Sequence, residues 1–174
     1  MTARPDIELS YANGLNEGIF EDVVEDLKAG EVRVDLRGRA SEGPYASLVW
    51  LIPTAVMLWM VKPYLQEFSR ETGKVHAKGL HEGLSKLWRK VFGPKPEISY
   101  TLVGSSGKVK SEIFSAAVSL RASRNDGGTV ILLFPSTASP EDFSAAVDRW
   151  IHLMQMHYGL EGNDPLTKTM RSVS

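Results

Sequence analysis

Residues 7–36 read IELSYANGLNEGIFEDVVEDLKAGEVRVDL, and the changes of hydrophobic period within them decide the fold class. Ile7, Leu9 and Tyr11 alternate with Glu8 and Ser10, the period of two that a strand with one buried face requires. Asn13-Gly14 breaks the run. Ile19, Phe20, Val23, Val24 and Leu27 then recur at helical spacing, with Glu21, Asp22, Glu25 and Asp26 on the opposite face. Gly30 stands where a glycine just past the helix end would be. Val32, Val34 and Leu36 alternate again with Arg33, Asp35 and Arg37. The order is β-α-β. Spacing alone does not separate a parallel crossover from a split arrangement.

Downstream, Gly43 to Val61 carries no charge over 19 residues and includes Leu48, Val49, Trp50, Leu51, Ile52, Val56, Met57, Leu58, Trp59 and Met60. Pro44 suits the first turn of a helix and Pro53 should bend one, so the segment reads as a bent helix that is apolar all round. Such a helix is either deeply buried or in lipid. After Pro63 the pattern becomes amphipathic: Leu65, Phe68, Val75, Leu80, Leu84, Leu87 and Val91 mark one face, and Arg70, Lys74, Lys78, Lys86 and Lys90 another. Gly73, Gly79 and Gly83 each cost such a helix about 1 kcal/mol relative to alanine. The cost suggests a close approach of another backbone, or a break near Gly73.

The last third reads as a three-stranded antiparallel meander and a closing helix. Its strands are Ile98 to Leu102, residues 109–123 with Ala116, Val118 and Leu120 inward, and Val130 to Phe134 as an interior strand. Asn125-Asp126-Gly127-Gly128 is a strong hairpin signal between the last two. Ser139-Pro140-Glu141-Asp142 combines an N-cap serine, an N1 proline and an acid three residues on. Phe143, Ala146, Val147, Trp150, Met154 and Tyr158 give that helix its buried stripe, and Gly159 ends it. The expected fold is α+β, a mostly antiparallel sheet of about five strands with helices packed on it. Residues 1–159 form one domain in this reading, and residues 160–174 a flexible tail.

At 174 residues, 43% hydrophobic and 24% charged, the composition is that of an ordinary globular domain. The absence of cysteine removes disulfides, thiolate metal sites and cysteine nucleophiles together. Met1 to Ser10 has no apolar stretch of the secretory type, so a cytoplasmic setting is expected, with membrane association as the alternative. Net charge is −1, which gives no global field toward nucleic acid. Residues 1–42 hold 5 basic and 10 acidic groups, whereas residues 62–92 hold 7 basic and 3 acidic. An acidic head and a basic centre are suited to neutralise each other.

Motifs with chemistry fall short of their requirements. Gly104-Ser105-Ser106-Gly107-Lys108 has Leu102 where a phosphate loop needs its first glycine, and Val109 where it needs serine or threonine. His76 and His81 are five apart, so on a helix their imidazoles diverge, and the zincin spacing is absent. The acids Glu21 to Asp26 form a helix face rather than a pair in contrasting environments. Trp88 lies beside Leu84 and Leu87, which suits core burial better than base stacking and argues against nucleic acid. No catalytic residue, cofactor site or metal site is assigned.

The remaining signal is the apolar segment. A sheet covers only about half of a helix's circumference, so the rest of residues 43–61 must meet a neighbouring helix, a second subunit or lipid. The first expectation is therefore a non-enzymatic interaction or structural module that self-associates, as a dimer, through region 43–92. Its contact residues would be Trp50, Pro53, Met57 and Trp59, with a protein partner at the basic stripe through Arg70, Lys74 and Lys78. The second is a membrane-associated protein or effector inserting residues 43–61, whose helix would rise about 28 Å against a hydrocarbon core of about 30 Å. The third is a small-molecule enzyme with an unrecognised site.

Overall fold

The computed structural model describes residues 5–39, 54–67, 73–98 and 114–159. Within them the chain is α+β: a five-stranded mixed sheet with four helices packed on it. The elements in order are β1 (Ile7–Ala12), α1 (Glu21–Ala29), β2 (Val34–Arg39), β3 (Val56–Met60), α2 (Lys62–Glu67), α3 (Gly73–Phe92), β4 (Phe114–Ser123), β5 (Thr129–Pro135) and α4 (Pro140–Gly159). A single 3-10 turn, Glu17–Phe20, leads into α1, and the Asn16 side chain caps it by accepting from the Gly18 amide.

Strand order is β2-β1-β3-β4-β5. β1 and β2 are parallel, so the opening β-α-β unit is a crossover through α1. β1 and β3 are antiparallel, β3 and β4 parallel, β4 and β5 antiparallel. The sheet is thus mixed rather than mostly antiparallel, because β3 enters between β1 and β4 and runs with β4. Among the described strands Val130 to Phe134 is not interior: β5 stands at one end of the order, beside β4. The hairpin into it is formed as the sequence indicates, with Gly127 at φ 86° and Arg124 donating its amide to the Gly128 carbonyl. Of the expected strand Ile98 to Leu102, Ile98 is buried outside any strand, and residues 99–102 lie outside the described residues.

The largest departure from the sequence reading concerns the apolar segment. Val56–Met60 is the central strand of the sheet, not part of a helix. An uninterrupted apolar run serves a strand enclosed by neighbours as well as it serves a buried helix, and period alone cannot tell them apart. Val56, Leu58 and Met60 are fully buried on one face, and Met57 and Trp59 are half-buried on the other. Trp50 and Pro53 lie outside the described residues, as do residues 160–174. Among the described residues no helix is long and apolar enough to cross a membrane.

The core sits between the sheet and the helices. Ile7, Leu9, Leu58, Met60 and Leu120 from the sheet meet Val23, Leu27, Leu80, Leu87, Phe143, Val147 and Met154 from α1, α3 and α4. These three helices cover the inner face of the sheet. Two glycines of α3 let α1 approach to backbone contact: a Cβ on Gly79 would stand 2.5 Å from Gly30 Cα, and one on Gly83 would stand 2.8 Å from Leu27 Cγ. The close approach read from these glycines is therefore present. Gly30 itself has φ −83°, and the left-handed residue is Glu31 at φ 61°. Gly30 therefore does not supply a left-handed turn, and its backbone is what Gly79 packs against.

At the end of α3, Gly93 donates its amide to the Arg89 carbonyl. Ser139 caps α4, accepting from the Asp142 amide at 3.1 Å while its hydroxyl donates to Asp142 Oδ2 at 2.8 Å. The far end of α4 is tied to the hairpin. Asn125 donates its amide to His157 Nε2 at 3.0 Å, and Tyr158 donates to the Ser123 carbonyl, its burial pushing its pKa up to about 12.

Candidate functional site

Pleating sends alternate side chains of each strand to opposite faces, so paired residues in register share a face. With the helices on the face of Leu9, Leu58 and Leu120, the outer face is built from the intervening positions. One rung runs Asp35, Glu8, Trp59, Arg121, Ile131, and the next runs Arg37, Ser10, Met57, Ser119, Leu133. The chemistry changes from strand to strand across it. Charged groups at β2 and β1 give way to Trp59 and Met57 on β3, then to a polar strip on β4, then to Ile131 and Leu133.

Met57, Trp59, Ile131 and Leu133 are all half-buried, and none belongs to the apolar cluster between sheet and helices. Between them lies a bonded strip. Ser119 and Thr54 share a hydrogen bond of 2.6 Å, and Arg121 Nε donates to Ser119 Oγ at 3.2 Å, with Arg121 only 7% exposed. The guanidinium is thus buried with a hydrogen-bond partner, as burial of a charge requires. At the charged end, Arg37 pairs with Asp35, and this raises the Arg37 pKa through the hydrogen bond and the charge of Asp35.

Among the described strands, the two at the ends of the sheet order differ. β2 carries Asp35, Arg37 and Arg39, the charges with which proteins blunt an edge against further pairing. β5, with the sequence TVILLFP, carries none over its seven residues. An uncharged apolar edge of this kind is a template for another strand.

Met57 and Trp59 are therefore brought together as neighbours on one strand, side by side on the outer face. Arg70 lies outside the described residues, and Lys74 falls within α3, whose first side chains are not described. Lys78 is exposed and pairs with Glu82 at 3.8 Å, one turn on along the same helix. The basic stripe meets the acidic face of α1 further along, through Lys86 to Asp26 at 2.8 Å and Lys90 to Asp22 at 3.4 Å. The Asp26 hydrogen bond raises the Lys86 pKa. His76 stacks on Tyr64, with ring centroids 5.8 Å apart, and His81 pairs with Asp148 of α4 at 3.1 Å.

Sequence reasoning missed Ile131 and Leu133 as surface residues because it made β5 an interior strand. The signal that would have exposed them is the pairing of Trp59 with Arg121 and of Arg121 with Ile131, which depends on β3 being a strand. Compared with family models, with curated proteins and with solved structures, the chain matches none of them.

Proposed function

We propose that the chain is a non-enzymatic interaction module that self-associates as a homodimer. In this reading Met57 and Trp59 supply the contribution of region 43–92, and Ile131 and Leu133 of β5 complete the contact. One observation carries it: four half-buried apolar side chains lie in two adjacent rungs of the outer face and stand apart from the core. A two-fold contact uses the same patch on both subunits, and here the charged residues of β1 and β2 flank the patch on one side as the rim of an interface does. The uncharged edge of β5 beside it is consistent with the same surface being covered. The reading includes a cytoplasmic setting, which rests on the cysteine-free composition.

Size-exclusion chromatography with light scattering tests it, and a dimer is expected without detergent. Trp59→Glu should give a folded monomer with an unchanged far-ultraviolet circular dichroism spectrum, since Trp59 lies outside the core cluster. A wild-type monomer at every concentration sinks the proposal, as does a Trp59→Glu variant that remains dimeric.

A further inference from the structure

α3 shows two contrasting sides. Toward α1 its glycines allow backbone contact; toward α4 it presents large side chains that hold the helices apart. The gap is pinned at both ends. Trp88 Nε1 donates to the Ala138 carbonyl at 3.0 Å just before α4, and His81 Nε2 meets Asp148 Oδ1 at 3.1 Å two turns into it. Between the pins lies a cleft of about 290 Å³. Leu84 and Trp88 of α3, with Phe143 and Val147 of α4, make its apolar walls, each pair set at helical spacing so that it shares a face.

Arg89 also lines the cleft. It is exposed, and among the described residues its guanidinium has no hydrogen bond or ion pair. Its basic neighbours are committed: Lys86 to Asp26, Lys90 to Asp22 and Glu97. An apolar slot with a single uncommitted guanidinium in its lining matches a ligand that is apolar along its body and singly anionic at one end. Its volume is at the lower edge of ligand pockets, which run from about 300 to 1,000 Å³, so the ligand is small. A dianionic phosphate fits less well, because Glu141 and Asp142 occupy the first turn of α4 and Ser139 already takes the Asp142 amide.

We propose that the α3–α4 cleft binds a small monocarboxylate with an aromatic or aliphatic body, its carboxylate held by the fork of Arg89. The site lies across the helical layer from the outer face of the sheet and is independent of self-association there.

Isothermal titration of the full chain with 4-phenylbutyrate provides the test, with uncharged 4-phenylbutanamide as the comparison. Saturable one-to-one binding of the carboxylate is expected. Arg89→Gln should weaken it by about tenfold or more while leaving the weaker amide binding unchanged. Ser144→Trp, which places bulk in the cleft lining, should block both ligands. Circular dichroism and a thermal melt check that each variant folds; should Arg89→Gln fail this check, Arg89→Lys replaces it and should still weaken the carboxylate selectively. Absence of saturable binding overturns the proposal, and so does equal carboxylate affinity in the Arg89 variant and the parent. If the Arg89 substitution instead changes the mass measured by light scattering, the occupant is a second copy of the chain and the carboxylate proposal falls.

Discussion

Replacing Gly79 with alanine should reverse the usual rule for a glycine inside a helix. At an exposed interior position the change gains about 1 kcal/mol, because alanine has the better helix propensity. At Gly79 the new Cβ would stand 2.5 Å from Gly30 Cα, 2.9 Å from Gly30 N and 3.0 Å from the Asp26 carbonyl oxygen. Carbon atoms pack at about 3.5–4.0 Å, so α1 and α3 would have to part by about 1 Å. All three atoms are backbone, and no side-chain rotation can relieve the clash. Overpacking of this kind costs about 1–3 kcal/mol and occasionally more. Parting the helices also lengthens the Lys86–Asp26 and Lys90–Asp22 pairs. Because all three contacts are to backbone the cost falls near 3 kcal/mol, and after the propensity gain of about 1 kcal/mol the net loss should be about 2 kcal/mol, or about 4–8 °C in melting temperature for a chain of this size. Urea denaturation and thermal melting of the parent, Gly79→Ala and Gly159→Ala would measure it. Gly159 is the control, since a Cβ there meets nothing within 4 Å. A Gly79→Ala protein as stable as its parent, or more so, would refute the close-packing account.

Ser139→Ala should destabilise the protein by about 1 kcal/mol, because it leaves the Asp142 amide without its cap; an unchanged urea midpoint would count against the cap. Asp6 gives a pH dependence of known sign. Burial by itself would raise its pKa, but the hydrogen bonds from the Arg33 side chain, then from the Arg33 amide, and the guanidinium charge together bring it below the ordinary 3.8. A depressed folded pKa contributes stability that is present above the unfolded value and lost as pH falls through the folded one. Asp6→Asn should therefore cost about 1.5–3 kcal/mol at neutral pH, toward the lower end because Arg33 is largely exposed. The difference from the parent should shrink as pH drops below about 4, and a constant difference across that window would show that the pair contributes nothing through charge.

The parts of the fold that were legible in the sequence are those whose local chemistry admits one structure. Ile7 to Tyr11 alternates and is β1; Asn125-Asp126-Gly127-Gly128 can hardly be other than a tight turn; Ser139-Pro140 starts α4 where it should. Gly79 and Gly83 pointed to a close approach, one of the two readings their cost to a helix allowed, and that approach is present. Val56 to Met60 was not legible, since five large apolar residues in a row fit a buried helix and an enclosed strand equally. That one ambiguity hid most of the candidate surface. Trp59 and Met57 were singled out for their apolar character, but their rung partners Arg121, Ile131 and Leu133 appear only once β3 is placed between β1 and β4. Arg89 escaped notice for a different reason: whether a cation is committed depends on acids brought from α1 and from the segment beyond α3, which spacing within one helix cannot reveal.

The central position of β3 also sets a timetable for synthesis. Leu58 pairs on one side with Leu9, already made, and on the other with Leu120, which is not. At about 5–20 residues per second, the ribosome takes roughly 3–12 s to supply β4 after β3 has been polymerised. Throughout that interval this wholly apolar strand has one open edge and α4, which will help to bury the inner face of the sheet, is not yet made, whereas α3 is completed partway through it. Between the emergence of Met60 and that of Leu120 the nascent chain thus carries an apolar strand without its second neighbour, and VMLWM is the segment a holding chaperone would bind.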